Sequence, residues 1–286
     1  LSFPYELLKE PLSEALADQV DVTHVDIGPG WWPGHVVIRD LMLKTRPSRE
    51  DDKPIEIAVD RVNLNIGLFA LLGGTLDVGV HGVVGAGEID GRVVASESST
   101  RVELETEELP IGTIPGVEAV VGGATLEGGL TAKVDIVLPE NKWKSVEGTL
   151  ALACVECVLP KGTKFRPMAE SQRNAVSDQG FTLPAKLRLG EFGGHIEIDA
   201  GKGKFVDFEG KSDDGELLLE GGIDFLDPVG TSQVTAYLRI KLTDALKKRE
   251  PEMEDVERLA LAPTLREDGY FGVRMTGPLA GMSFKG

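Results

Sequence analysis

Aliphatic side chains recur at every second residue through much of this chain, and that period of two restricts the fold more than any other feature. Leu126, Leu130, Ala132, Val134, Ile136 and Leu138 stand against Glu127, Thr131, Lys133 and Asp135. The pattern returns at Leu217, Leu219, Ile223 and Phe225. It returns again at Val234, Ala236, Leu238, Ile240 and Leu242, where Thr235, Tyr237, Arg239 and Lys241 take the other side. Successive side chains of a strand point to opposite faces, so each segment has one dry and one wet side, as in an antiparallel sheet with a single buried face. About fourteen such strands can be counted with no regular helix between them, which argues against a parallel βαβ fold. In residues 55–66 the apolar positions are odd up to Val59 and even from Val62, which predicts a β-bulge near Asp60 and Arg61.

The hydrophobic share of 41% is mostly aliphatic, aromatic residues supplying only 6%, and this composition suits packed sheets rather than disorder. The 35 glycines lack a collagen-like period and fall between aliphatic runs, where they read as turns and bulges. A net charge of −17 repels phosphate backbones, so no nucleic-acid partner is expected, and it disfavours electrostatic docking on anionic lipid. No stretch reaches the roughly 18 to 20 apolar residues of a membrane helix. The nearest, Val62 to Leu76, is uncharged but interrupted by Asn63, Asn65 and three glycines, and reads as a strand followed by a buried loop. The chain opens on Leu1 rather than Met, which points to a segment removed upstream.

Helical spacing appears twice. Tyr5, Leu8, Leu12, Ala15 and Leu16 predict an N-terminal helix over Pro4 to Asp18, bent or broken at Pro11. Within 244–261, Thr243 can cap a helix that Pro251 interrupts, and Met253, Val256, Leu259 and Ala260 form an apolar stripe. Lys161 to Gln179 is polar and aperiodic and reads as a mobile loop splitting the sheet. The chain then divides into 1–160, a loop at 161–180 and a C-terminal β half at 181–286 with a helical insertion, or forms one continuous domain.

Residues that could carry chemistry are sparse. Gly85, Gly87 and Gly91 lack the spacing and the following helix of a dinucleotide fingerprint and read as a turn or bulge. His24, His35, His81 and His195 are dispersed, and no serine sits in a nucleophile elbow. No catalytic residue, metal ligand or cofactor site is nominated, and the chain reads as non-enzymatic. Cys154 and Cys157 lie between aliphatic runs rather than at a helix start, so thioredoxin-like chemistry is not expected. They form either a small-loop disulfide in an oxidising compartment or two buried thiols, and a disulfide predicts a sharp turn at Val155 and Glu156. Trp31 and Trp32, in Gly28-Pro-Gly-Trp-Trp-Pro-Gly, either pack on the neighbouring sheet or anchor to a bilayer or a partner.

Residues 22–41, 57–76, 194–223 and 275–284 resemble, in turn, the opening, the repeated strand–turn unit and the closing strand of AsmA-like envelope proteins. With Cys154, Cys157 and Asp244 to Pro251 included, the chain looks most like the type II secretion system protein N family. The resemblance implies long, twisted, mostly antiparallel sheet folded around an aliphatic core. It also implies an inner-membrane anchor just upstream of Leu1 and a periplasmic body in a Gram-negative bacterium, a setting that agrees with a Cys154–Cys157 disulfide. The family contributes no catalytic residues.

Two functions follow as expectations. The first is a non-catalytic accessory of the secretion system, binding other secretion-system envelope proteins through strand edges and aliphatic patches. The second is an AsmA-like lipid-binding or lipid-transfer module whose dry face is a groove for phospholipid acyl chains. The helix around Met253, Val256 and Leu259 separates them: across the dry face it closes the groove, whereas at one end it leaves it open.

Overall fold

The structure is a computed structural model that describes residues 20–45, 56–114, 126–165, 181–279 and 283–285. Among the described residues the sequence alternation becomes sixteen strands, beginning with β1 (Val20–Pro29), β2 (His35–Thr45), β3 (Glu56–Ile66) and β4 (Leu76–Val84). They continue as β5 (Gly87–Ala95), β6 (Ser99–Pro110), β7 (Glu127–Pro139), β8 (Glu147–Leu159), β9 (Lys164–Phe165) and β10 (Phe181–Thr182). The remainder are β11 (Leu187–Asp199), β12 (Lys202–Lys211), β13 (Gly215–Asp224), β14 (Gln233–Leu242), β15 (Phe271–Pro278) and β16 (Ser283–Lys285). Fourteen of them form one sheet in chain order, and every paired neighbour is antiparallel. The exceptions, β9 and β10, make a separate two-stranded ribbon.

The expected division at 161–180 does not break the sheet, because β8 pairs directly with β11 from Gly148↔Ile198 to Leu159↔Leu187. The mobility expected of residues 166–180 and the helix expected over Pro4 to Asp18 lie outside the described residues. The phase change near Asp60 also has a different form from the one expected. Arg39↔Arg61 and Leu41↔Val59 keep an unbroken register between β2 and β3. Both strands change phase at the same level, with Asp40 in the left-handed region at φ 52°, so no extra residue is inserted. A matched change on two strands keeps Ile38 opposite Val62 and Leu41 opposite Val59, and holds the apolar side continuous.

Because the sheet is a meander, its connections fall on two rims. On the rim carrying the β7–β8, β11–β12 and β13–β14 connections, flat spacing would set the first and last about 19 Å apart, four strand steps of about 4.8 Å. Instead the Trp143 N–H donates to Asp227 Oδ1 at 2.8 Å, and the Trp143 and Phe225 rings stack with centroids 6.2 Å apart. This rim therefore draws together over Ile136, Leu138, Val146 and Ile198, which form a buried cluster.

The opposite rim carries the helices Asp244–Arg249 and Glu252–Val256 and a π-helical turn over Glu257–Leu261. Thr243 caps the first, its Oγ1 accepting from the Leu246 N–H at 3.2 Å, and Pro251 separates it from the second. The cluster beneath comprises Leu183, Ala185, Leu187, Leu242, Leu246, Met253 and Val256. The buried Asp214 carboxylate ties the helix to the sheet, accepting from the Arg188 N–H at 2.9 Å and from Arg249 Nη2 at 2.6 Å.

The wet face carries charge pairs, among them Arg92 with Asp77 (2.6 Å), Arg101 with Asp135 (2.8 Å) and Lys133 with Glu105 (3.5 Å). Exposed pairs of this kind stabilise little individually. Among the contacts that tie the β14–β15 connection to the sheet, the Tyr270 hydroxyl donates to Glu216 Oε2 at 2.6 Å. That bond, then Lys211, holds the Glu216 carboxyl below its ordinary value, and Glu216 holds the Tyr270 phenol above its own. A depressed carboxylate stabilises the fold above its unfolded-state range and loses that contribution as pH falls through the depressed value; a raised phenol loses its contribution as pH rises through the raised value. The stability advantage of the protein over Glu216→Gln is therefore greatest near neutrality and shrinks in acid and in alkali. Denaturant titrations of both across pH measure it, and a pH-independent difference contradicts it.

Candidate functional site

The candidate site is the dry face of the sheet, assembled by register alone. Pro29 pairs Val36, Val36 pairs Leu64, Leu64 pairs Val80 and Val80 pairs Gly91. The row continues through Leu104, Val134, Leu150, Ile196 and Phe205. Every member is apolar, and ten strands at about 4.8 Å give a row about 43 Å long, nearly three times the roughly 15 Å of one leaflet of acyl chains. One residue further along each strand the row reads Asn63, His81, Asp90, Glu105, Lys133 and Ala151, which is the wet face.

From Leu64 to Phe205 no member of the row is fully buried. Gly194 and Gly210 leave room for aromatic rings: a Cβ on Gly194 would meet the Phe208 ring at 2.6 Å, and one on Gly210 would meet Phe192 at 3.0 Å. Phe192 and Phe205 then pack on Phe208 across β11 and β12, the first tilted and the second edge-on, with centroids 6.2 Å and 5.6 Å away. Met253 and Val256 are buried against Leu242, Leu246 and the 183–187 segment, at the ends of β14 and β11. They leave the middle of the row uncovered; the side chain of Leu259 lies outside the described residues.

Cys154 and Cys157 are joined by a disulfide with Cα atoms 5.6 Å apart. No chain-reversing turn intervenes: β8 runs straight through, and a register shift with Glu156 at φ 52° shortens the strand locally. A bulge can replace the expected turn because an extra residue shortens the Cα separation, which is about 10 Å across three fully extended residues. The disulfide packs with Ile111, Leu126, Leu130 and Leu159 at the rim of the dry face.

The β1–β2 hairpin exposes Trp31 at 86% and Trp32 at 37% of full accessibility, so neither ring is buried in the sheet. The β3–β4 connection departs furthest from expectation. Read as a buried loop, it contains a helix over Leu68–Leu72 with no buried residue, and Phe69 and Leu72 are 90% and 85% exposed. Gly67 and Gly73 bound a helix too short to bury a face, and the chain returns at once to β4. The two tips are neighbours. The Ile66 N–H donates to the Gly34 carbonyl at 2.8 Å, and a Cβ on Gly34, at φ 92°, would stand 2.6 Å from Ile66 O. The signal in the sequence was the unbroken absence of charge from Val62 to Leu76.

Conventional chemical groups stay dispersed. His81 bonds Asp90 at 2.8 Å, His195 lies 3.6 Å from Glu197, and His35 is buried on β2. Among the described residues no three His, Cys, Asp or Glu side chains converge as a metal site. In a depression of about 490 Å³ beside Lys247, Glu254 and Arg258, Lys247 is paired with Glu257 at 3.0 Å and Arg258 with Asp255 at 2.6 Å. It lies away from the apolar row, which is buried at Val36 and half-buried from Leu64 to Phe205. No family model, curated protein or solved structure matches the chain, so the resemblance to AsmA-like proteins rests on the residues quoted for it.

Proposed function

We propose that this protein is a non-catalytic, AsmA-like lipid-handling module that shields phospholipid acyl chains along its dry face. In this reading it is periplasmic, is anchored in the inner membrane of a Gram-negative bacterium by a segment upstream of Leu1, and uses no cofactor. The observation that carries the reading is the apolar row from Leu64 to Phe205, left half-buried because the helices around Met253 sit at one end. An aliphatic surface of this length is costly to leave in water, at about 25 cal/mol per Å², and acyl chains relieve that cost without requiring polar partners. Protein purified without detergent exchange and analysed by mass spectrometry is expected to carry phospholipid. A lipid-free protein with unchanged secondary structure would overturn the proposal.

A second reading, the secretion-system accessory, is favoured by the sheet edge. β1 presents ten residues and pairs only with β2 among the described residues, a template for strand addition by another envelope subunit. Crosslinked envelope extracts then yield secretion-system components with this protein, and their consistent absence counts against it.

A further inference from the structure

We infer that the adjoining tips of the β1–β2 and β3–β4 hairpins form a docking patch that seats in the interfacial layer of a phospholipid bilayer. Trp31, Trp32, Leu68, Phe69, Leu71 and Leu72, together with Leu76, supply seven of the ten large hydrophobic side chains exposed among the described residues. They come from two segments tied by the Ile66 to Gly34 hydrogen bond, so they form one patch and not scattered exposure.

Charge decides between a bilayer and a protein as occupant. Residues 27–38 and 62–76 contain no Asp, Glu, Lys or Arg, in a chain whose net charge is −17. A protein interface of this size carries a polar rim with side-chain hydrogen bonds, whereas the tips themselves are uncharged and the acidic group beside them, Asp77 at Gly67, is already engaged by Arg92 at 2.6 Å. Adjacent tryptophans and a protruding Phe-Ala-Leu-Leu turn suit the boundary between headgroups and acyl chains, where indole rings concentrate. The acidic body disfavours anionic lipid, so the patch is matched to zwitterionic phospholipid. Val36 and Leu64 lead directly from the tips into the apolar row, so docking places one end of that row at the membrane. As an entry point for acyl chains the patch rests on the lipid-handling reading; as a docking site it stands independently.

The test is flotation of the full chain with phosphatidylcholine vesicles, comparing it with a Phe69→Ser, Leu72→Ser double variant and with Trp31→Ser. All three positions are exposed, so the variants retain the fold, which circular dichroism checks. The double variant is expected to lose roughly tenfold or more in vesicle partitioning, with little dependence on salt. Brominated phosphatidylcholine is expected to quench the fluorescence of the unaltered protein, because two of its three tryptophans lie in the patch while Trp143 stacks on Phe225. Equal flotation of protein and double variant, flotation only with anionic lipid, or neither flotation nor quenching overturns the inference. So does a patch-dependent crosslink to a protein without vesicle binding. Mass spectrometry of the same preparations separates the two proposals: a floating but lipid-free protein sinks the groove alone, and a lipid-loaded protein that never floats sinks the patch alone.

Discussion

Replacing Leu246 by alanine is expected to lower the unfolding free energy by about 2–5 kcal/mol, the range for emptying a fully buried leucine site. Leu246 is wholly inaccessible and packs in the cluster with Leu183, Ala185, Leu187, Leu242, Met253 and Val256, where helix, strand ends and the 183–187 segment meet. Neighbouring Lys248 is exposed on the same helix, and Lys248→Ala is expected to stay within about 0.5 kcal/mol of the unaltered protein. The damage should also be local. The sheet order follows the chain, so each strand depends chiefly on the strands beside it, as in a repeat array. Hydrogen exchange in Leu246→Ala is therefore expected to quicken across Leu183 to Leu187, β14 and the helices, and to remain unchanged in β4 to β6. Uniform acceleration over the whole sheet, or a loss under about 1 kcal/mol, would show that the cluster is not the local keystone described.

The second large effect concerns the dry face. Leu104→Glu or Leu150→Glu places a carboxylate in the apolar row, and either is expected to cut co-purifying phospholipid at least about tenfold. Desolvating an unpaired charge costs several kcal/mol, and about 1.4 kcal/mol is already a factor of ten. Ala151→Glu is the matched control: Ala151 is exposed on the opposite face, paired with Lys133 and His195, so the same charge one residue away meets water and a facing cation. Lipid extraction and quantitation across the three variants checks the prediction. Equal losses in Ala151→Glu and Leu150→Glu would indicate a general effect of charge and not a groove.

Much of the architecture was legible because a period of two leaves the backbone little choice. Val134, Ile136 and Leu138 declare one face of β7 as plainly in the sequence as in the sheet. The helices over 244–261 were visible through Thr243, Pro251 and the Met253–Val256 spacing. Other features depended on what stands opposite. The phase change at Asp60 looked like a single-strand bulge because one strand cannot reveal that Asp40 answers it across the ladder. The Cys154–Cys157 link looked as though it needed a turn because the bulge at Glu156 is defined only against β7 and β11. The 67–75 connection looked buried because apolar composition does not state which way a side chain faces.

The sequence by itself determined the strands and their alternating faces, since these depend on local spacing and residue type. Only the tertiary structure decided that β8 joins β11 without interruption, that Met253 and Val256 close an end and not the middle, and that the tips carrying Trp31 and Phe69 are neighbours. Those facts rest on contacts between residues far apart in the chain, which hydrophobic periodicity does not encode.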